Sequence, residues 1–185
     1  MTAAGSVTAD ERLRLFLGLR LPDPVLDAIV AWQAGHLRGG VRVVPREHLH
    51  ITLAFLGHRP AGELDAVVSA LRAATAAPRG GLRLAPAQYR ETRSVAMLVL
   101  DDLDGGATAF AEDLQGRLEA LGVYRREGRA WQPHITVARF RDRPRLRLEP
   151  PPMGTFVPSD SAAYLSRLHP SGARYEVLES VALGG

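Results

Sequence analysis

The sequence predicts an α+β protein of two pseudo-symmetric lobes, each with an antiparallel sheet and packed helices, around a central groove. Three observations carry this expectation. The stretch HLHITLAFLG, His48 to Gly57, is echoed by QPHITVARF, Gln132 to Phe140. A gap-free shift of 84 positions lays His50 on His134 and Thr52 on Thr136, and also Leu26 on Phe110, Val30 on Leu114 and Leu37 on Leu121. That register marks an internal duplication of one strand–helix–strand unit. Finally, strand and helix patterns mix without the strict alternation of a parallel α/β fold.

The elements follow in order. In RLRLFLGLRL, Leu13, Leu15, Leu17, Leu19 and Leu21 alternate with mostly polar residues, the period of a half-buried strand. PDPVLDAIVAWQAGHL reads as a helix with Asp23 as N-cap and Pro24 at the first helical position. Val25, Leu26, Ile29, Val30 and Leu37 form its apolar face. After Gly39-Gly40, VRVVP runs extended into the first His-Ile-Thr. PAGELDAVVSALRAATAAP is a helix with Leu64, Val67, Val68 and Leu71 on one face, and GLRLAPAQYRE is a strand.

The second unit opens with the apolar run SVAMLVL, Ser94 to Leu100. Gly105-Gly106 precede a helix built on Phe110, Leu114, Leu118 and Leu121 and stopped by Gly122. WQPHITVARF is the second His-Ile-Thr strand. TFVPSDSAAYLSRL and ARYEVLESVAL flank the turn His169-Pro170-Ser171-Gly172 and read as a terminal hairpin. No stretch between the units is long enough to separate independent domains, so residues 1–185 are expected to form a single bilobed domain.

Composition bounds the chemistry. An apolar content of 46% with 23% charged residues fits a soluble globular protein. Cysteine is absent, which excludes disulfides, thiolate nucleophiles and zinc–thiolate sites. The N-terminal MTAAGSVTADER lacks a charged-then-apolar leader, and no run approaches membrane-spanning length. A cytoplasmic protein without membrane contact or an obligate protein partner is the expectation. All 23 basic residues are arginine, whose planar fork suits phosphate. A net charge of +3 is compatible with a nucleic-acid partner.

In a strand, side chains alternate between faces, so His50 and Thr52 point one way and Ile51 and Leu53 the other. Each unit thus offers one imidazole and one hydroxyl on a rigid support. A two-fold arrangement would set two such pairs across a groove. One imidazole can take a proton and the other give one near neutral pH. The hydroxyls of Thr52 and Thr136 can hold anionic oxygens. This set suits in-line attack at phosphorus and needs no metal or other cofactor.

These residues carry a resemblance. The chain resembles the two-histidine (2H) phosphoesterases, defined by paired H-x-T-x motifs, here His50-Ile51-Thr52-Leu53 and His134-Ile135-Thr136-Val137. Among them it looks most like the bacterial RNA 2′,3′-cyclic phosphodiesterases, also called 2′-5′ RNA ligases. RLFLGLRLP, HITLAFLG, PHITVAR and SRLHPSGARYEVL support this and cover nearly the whole chain in the family's order. The resemblance implies a bilobed fold with the groove between lobes. It implies hydrolysis of a 2′,3′-cyclic phosphate on RNA ends or nucleotides to a 2′-phosphomonoester, with 2′-5′ ligation as the reverse reaction. It also implies His50 as proton donor and His134 as acceptor, roles that spacing does not separate. The rival reading is a non-catalytic module that binds RNA ends, against which stand two intact titratable motifs.

Other residues carry two readings. His48 shares a face with His50 and could pair with it on zinc, but its counterpart is Gln132 and no third ligand is evident, so His48 reads as groove rim. The family often has arginine at the position of Arg139, in contact with the phosphate. Strand parity puts Arg139 on the Ile135/Val137 side, and it reaches the groove only if the strand ends or bulges. Phe55, the equivalent residue of the first unit, either stacks on a base or joins the core. Arg141, Arg143, Arg145 and Arg147 read as a solvated edge or loop, or as a patch tracking the backbone of longer RNA. His36, His58 and His169 read as surface residues.

Overall fold

The computed structural model describes residues 11–77, 79–170 and 172–183. The first ten residues of MTAAGSVTADER and Ser171 of the terminal turn lie outside the described residues. The elements are β1 (Arg12–Arg20), α1 (Asp23–His36), β2 (Arg42–Val43), β3 (His50–Pro60), α2 (Leu64–Ala76), β4 (Leu84–Glu91), β5 (Val95–Asp102), α3 (Gly106–Ala120), β6 (His134–Arg139), β7 (Asp160–Arg167) and β8 (Arg174–Ala182). The α+β class holds. The strands form one sheet in the order β4-β5-β6-β3-β1-β7-β8, with β2 alongside β6. No helix among the described residues is long and apolar enough to cross a membrane.

The duplication is visible in the topology. β1, α1 and β3 correspond to β5, α3 and β6, and β1–β3 and β5–β6 are both antiparallel. The halves join edge to edge through β3 and β6, whose register contains the single pair Ile51↔Ile135. The 84-position shift equates these two residues, so a local two-fold passes between them.

Alternation along β1 buries Leu13, Leu15, Leu17 and Leu19, as expected. Phe16 is buried too, because β1 is covered on both edges and both faces near its centre. Helix α1 begins one residue earlier than its signals suggested. Pro22 occupies the cap position without a side-chain bond, and Asp23 lies in the first turn, where its charge suits the helix dipole. Its buried face runs Val25, Ile29, Trp32 and Gln33, while Val30 is exposed. In α3, Phe110, Leu114 and Leu118 are buried but Leu121 is exposed, because the chain turns at Gly122 with φ 71. There the Val123 N–H donates to the Leu118 carbonyl and the Gly122 N–H to that of Glu119.

Both His-Ile-Thr strands break register at the same place. Opposite β1, Thr52 pairs with Gly18 and Ala54 with Leu17, leaving Leu53 as an extra residue. Opposite β5, Thr136 pairs with Met97 and Ala138 with Ala96, leaving Val137 extra. Leu53 and Val137 are equivalent under the shift. Each is a β-bulge, and a bulge removes its residue from the ladder. The Leu53 carbonyl finds a buried side-chain donor, and the Val137 carbonyl, which accepts the Val44 N–H at 3.0 Å, takes a second bond from one. The Gln115 amide on α3 donates to the Leu53 carbonyl at 2.8 Å, and the Gln33 amide on α1 donates to the Val137 carbonyl at 2.9 Å. The helix of each unit therefore satisfies the strand of the other. The Trp32 ring accordingly lies 5.8 Å from Tyr89 of β4.

Gln33 and Gln115 are 3% and 7% exposed, so water cannot replace their amides. Gln115→Met is expected to keep the volume yet strand the Leu53 carbonyl, a loss of about 1–3 kcal/mol. Denaturant unfolding measures it, and an unchanged midpoint with unchanged slope would show that the bulge needs no side-chain donor.

Candidate active site

The groove lies on the face of the sheet opposite the helices, with a volume of about 950 Å³. His50, Thr52 and Thr136 line it. Their intervening neighbours Ile51, Leu53, Ile135 and Val137 are no more than 1% exposed on the other face. Extending the Ile51–Ile135 pair by one residue sets His50 opposite Thr136 and Thr52 opposite His134. On that register the four residues mark a square with the histidines on one diagonal, where neighbours across a ladder stand about 7–8 Å apart and their Cβ atoms somewhat closer. His134 stands just outside the cavity wall, half-buried, and close enough that its charge disfavours a charged His50.

Both imidazoles are oriented alike. Nδ1 of His50 lies 2.7 Å from the His48 carbonyl and Nδ1 of His134 lies 2.9 Å from that of Gln132. A carbonyl only accepts, so each Nδ1 carries the proton and each Nε2 faces outward for chemistry. Nε2 of His50 takes the Thr52 hydroxyl at 3.0 Å. Phe16, Tyr164 and Tyr175 wall the His50 ring at centroid distances of 4.8, 5.7 and 5.6 Å. Gly18 makes this fit possible: a Cβ there would come within 2.9 Å of the Ile51 carbonyl oxygen and 3.3 Å of His50 Cδ2. Burial pushes the His50 pKa down to about 4, against the raising effect of the His48 carbonyl, and His134, His48 and Arg139 add to the lowering. His50 is therefore neutral at pH 7. Burial likewise pushes Tyr164 up to about 12, so its ring stays uncharged.

The bulges decide the rest of the wall. Beyond Leu53 and Val137 the parity of each strand reverses. Ala54 and Ala138 turn to the core at 2% and 0% exposure. Phe55 and Arg139 therefore face the groove. Arg139 reaches it by the bulge that simple parity lacked, and Phe55 is 47% exposed rather than part of the core. Arg14 lies over the Phe55 ring at 4.6 Å. His48 lines the groove as well, its ring tilted against Tyr175 at a centroid distance of 4.5 Å.

Sequence reasoning missed Arg14, Arg42, Arg174, Tyr175 and His169, all in the groove wall. The signal for Arg14 was present: with Phe16 and Gly18 it occupies the alternate positions of β1, opposite the leucines. Arg42 arrives only because β2 pairs with β6, where it meets Arg139. Arg174, Tyr175 and His169 come from the terminal hairpin, within the SRLHPSGARYEVL segment that supports the resemblance, but no periodicity singles them out. Opening the aromatic wall with Tyr175→Ala is expected to raise the His50 pKa from about 4 toward its ordinary value, by relieving desolvation. An NMR titration of the imidazole measures this, and no upward shift would place the cause elsewhere.

Comparison with known proteins agrees with this architecture. Residues 19–83 match the model of the family described as LigT-like phosphoesterase. An RNA 2′,3′-cyclic phosphodiesterase of Thermus thermophilus is 33% identical over 94% of this chain and 91% of its own length. Another of that name, from Escherichia coli, is 29% identical over 94% of this chain and 98% of its own. A crystal structure from Thermus thermophilus superposes with a TM-score of 0.80 at 27% identity, covering 92% of this chain and 98% of that one. With the bulged His-x-Thr strands in place, the chain belongs to the LigT-like phosphoesterase family.

Proposed function

We propose that this protein is an RNA 2′,3′-cyclic phosphodiesterase, a single bilobed domain working on RNA ends or cyclic nucleotides in the cytoplasm. The observation that carries the reading is the square of His50, Thr52, His134 and Thr136 around the Ile51–Ile135 pair, beside an arginine-lined groove. The names of the Thermus and Escherichia relatives support the substrate class.

In the proposed reaction, Nε2 of His134 takes a proton from water as its oxygen attacks phosphorus. The bond from phosphorus to O3′ breaks in line, and His50 delivers a proton to O3′, leaving a 2′-phosphomonoester. Thr52 and Thr136 donate to the non-bridging oxygens, with Arg139 neutralising their charge. His48 and Phe55 bound the substrate, Phe55 offering a face for a base. Ring strain favours hydrolysis over 2′-5′ ligation in water. The direction of proton flow follows the resemblance and carries a physical requirement. His50 is neutral at pH 7, so its second proton must arrive with the substrate. A bound phosphate monoanion favours the imidazolium. Once Nε2 is protonated it donates, and the Thr52 hydroxyl is released to donate to the phosphate.

Turnover of cytidine 2′,3′-cyclic phosphate with EDTA present tests the reading. Undiminished formation of the 2′-phosphate is expected, and a rate lost to EDTA and restored by zinc would contradict it. The acid limb of kcat/KM should fall near pH 4, the His50 value in the free protein, and the limb of kcat should lie higher because the bound anion raises it. An aryl phosphodiester with a nitrophenolate leaving group needs no acid. It should restore most of the rate lost in His50→Ala and little of that lost in His134→Ala. Rescue of His134→Ala instead would exchange the two roles.

A further inference from the structure

A second basic concavity begins where the groove ends. Phe140 bonds through its N–H to the Ser94 carbonyl, which brings Arg93 of the β4–β5 turn beside Arg141. Arg93, Arg141, Arg145 and Arg147 line this pocket with Arg143 and Asp142. Among the described residues, the side chains of Arg93, Arg141, Arg145 and Arg147 make no ion pair. Elsewhere most exposed arginines are neutralised, as Arg46, Arg72, Arg83, Arg117, Arg126 and Arg129 are. Arg14, Arg42, Arg139 and Arg174 of the groove likewise have no carboxylate against them among the described residues. Of the thirteen arginines without an ion pair among the described residues, eight thus stand in two adjoining hollows.

The second hollow is held in shape. Its loop follows β6 without regular structure, yet a buried carboxylate pins it. Glu91, whose side chain is 1% exposed, accepts from Arg143 Nε at 3.1 Å, the Arg145 N–H at 2.9 Å, the Leu146 N–H at 2.8 Å and the Tyr89 hydroxyl at 2.8 Å. Burial alone would raise the Glu91 carboxyl; these donors hold it below its ordinary value, so it stays charged and keeps the loop fixed. Arg145 adopts φ 58, a left-handed conformation that non-glycine residues rarely take and that the two N–H bonds to Glu91 impose. A solvated loop has no need of a buried anchor and a strained residue.

We propose that this arginine loop is a second binding site for RNA, holding the phosphodiester backbone of the strand upstream of the end bound in the groove. The proposal rests on the phosphodiesterase reading and extends it. Arg139 of the groove and Arg141 of the loop are two residues apart, so their Cα atoms lie within about 7.6 Å, and phosphates can pass from one hollow to the next. The contact is electrostatic and blind to sequence, since guanidinium groups on phosphate position a strand without reading bases. A mononucleotide fills only the groove, so the loop matters for oligonucleotides alone.

The test compares native protein with Arg93→Ser/Arg141→Ser/Arg147→Ser, which leaves Glu91, Arg143 and Arg145 in place. The substrates are cytidine 2′,3′-cyclic phosphate and a 12-nucleotide RNA ending in a 2′,3′-cyclic phosphate, over a salt series. For the RNA, KM should rise about tenfold or more at low salt. The slope of log KM against log salt should fall by about 2, since each phosphate that the three arginines neutralise adds about 0.7 to it. Kinetics on the mononucleotide should not change. RNA kinetics and slope equal to native would overturn the proposal, and so would equal losses on both substrates. Anisotropy of a labelled 12-nucleotide RNA ending in a 2′-phosphate separates this from the reaction itself. If neither substrate turned over, the phosphodiesterase reading would fall. Weaker, less salt-dependent RNA binding by the variant would still support the loop, and unchanged binding would overturn it.

Discussion

The whole arrangement depends on how two strands meet at one point. β3 and β6 share a single registered pair, Ile51 with Ile135, and each then bulges at its next buried residue. A bulge leaves a carbonyl without a ladder partner, and in an interior that atom must be bonded or it costs stability. Gln115 supplies the bond at Leu53, and Gln33 adds one at Val137 beside that of the Val44 N–H, each amide coming from the helix of the opposite half. This crossed satisfaction ties α1 to β6 and α3 to β3. The same bulges turn Phe55 and Arg139 to the groove while His50, Thr52, His134 and Thr136 stay ahead of the parity change. Stability and site geometry thus rest on the same four residues, Leu53, Val137, Gln33 and Gln115.

Much of this was legible in the sequence, and the gaps have physical causes. The repeat, the strand parity of Ile51, Leu53, Ile135 and Val137, and the apolar face of α3 follow from local periodicity. The pattern from Leu21 to Leu37 predicts α1 but misjudges Val30, because the helix faces a strand that arrives about a hundred residues later. The bulges were invisible: Leu53 and Val137 are ordinary apolar residues, and only pairing with β1 and β5 shows them to be extra. A trace existed in Gln33 and Gln115, amides set within apolar helix faces, which demand a buried acceptor. Arg42, Arg174 and Tyr175 could not be found locally, since β2 and the terminal hairpin reach the groove only through tertiary pairing.

The charge distribution completes the account. Carboxylates neutralise many surface arginines, while those of the groove, and those of the adjoining loop apart from Arg143, are left without them. The aromatic wall of Phe16, Tyr164 and Tyr175 excludes water from His50, which a positive groove keeps neutral until an anion enters. In the proposed reaction, substrate charge and proton uptake are thereby linked. The bond from the Thr52 hydroxyl to His50 Nε2 fits a neutral imidazole.

The central claim is that His50 and His134 act as one unit on one phosphorus atom. A double-mutant cycle on kcat for a 2′,3′-cyclic nucleotide, with His50→Ala, His134→Ala and the double variant, addresses it most directly. Each single change should cost about 10²–10⁴-fold, and the double variant should cost little more than the worse single one. Multiplying losses, or near-native turnover in either single variant, would contradict a shared two-histidine site.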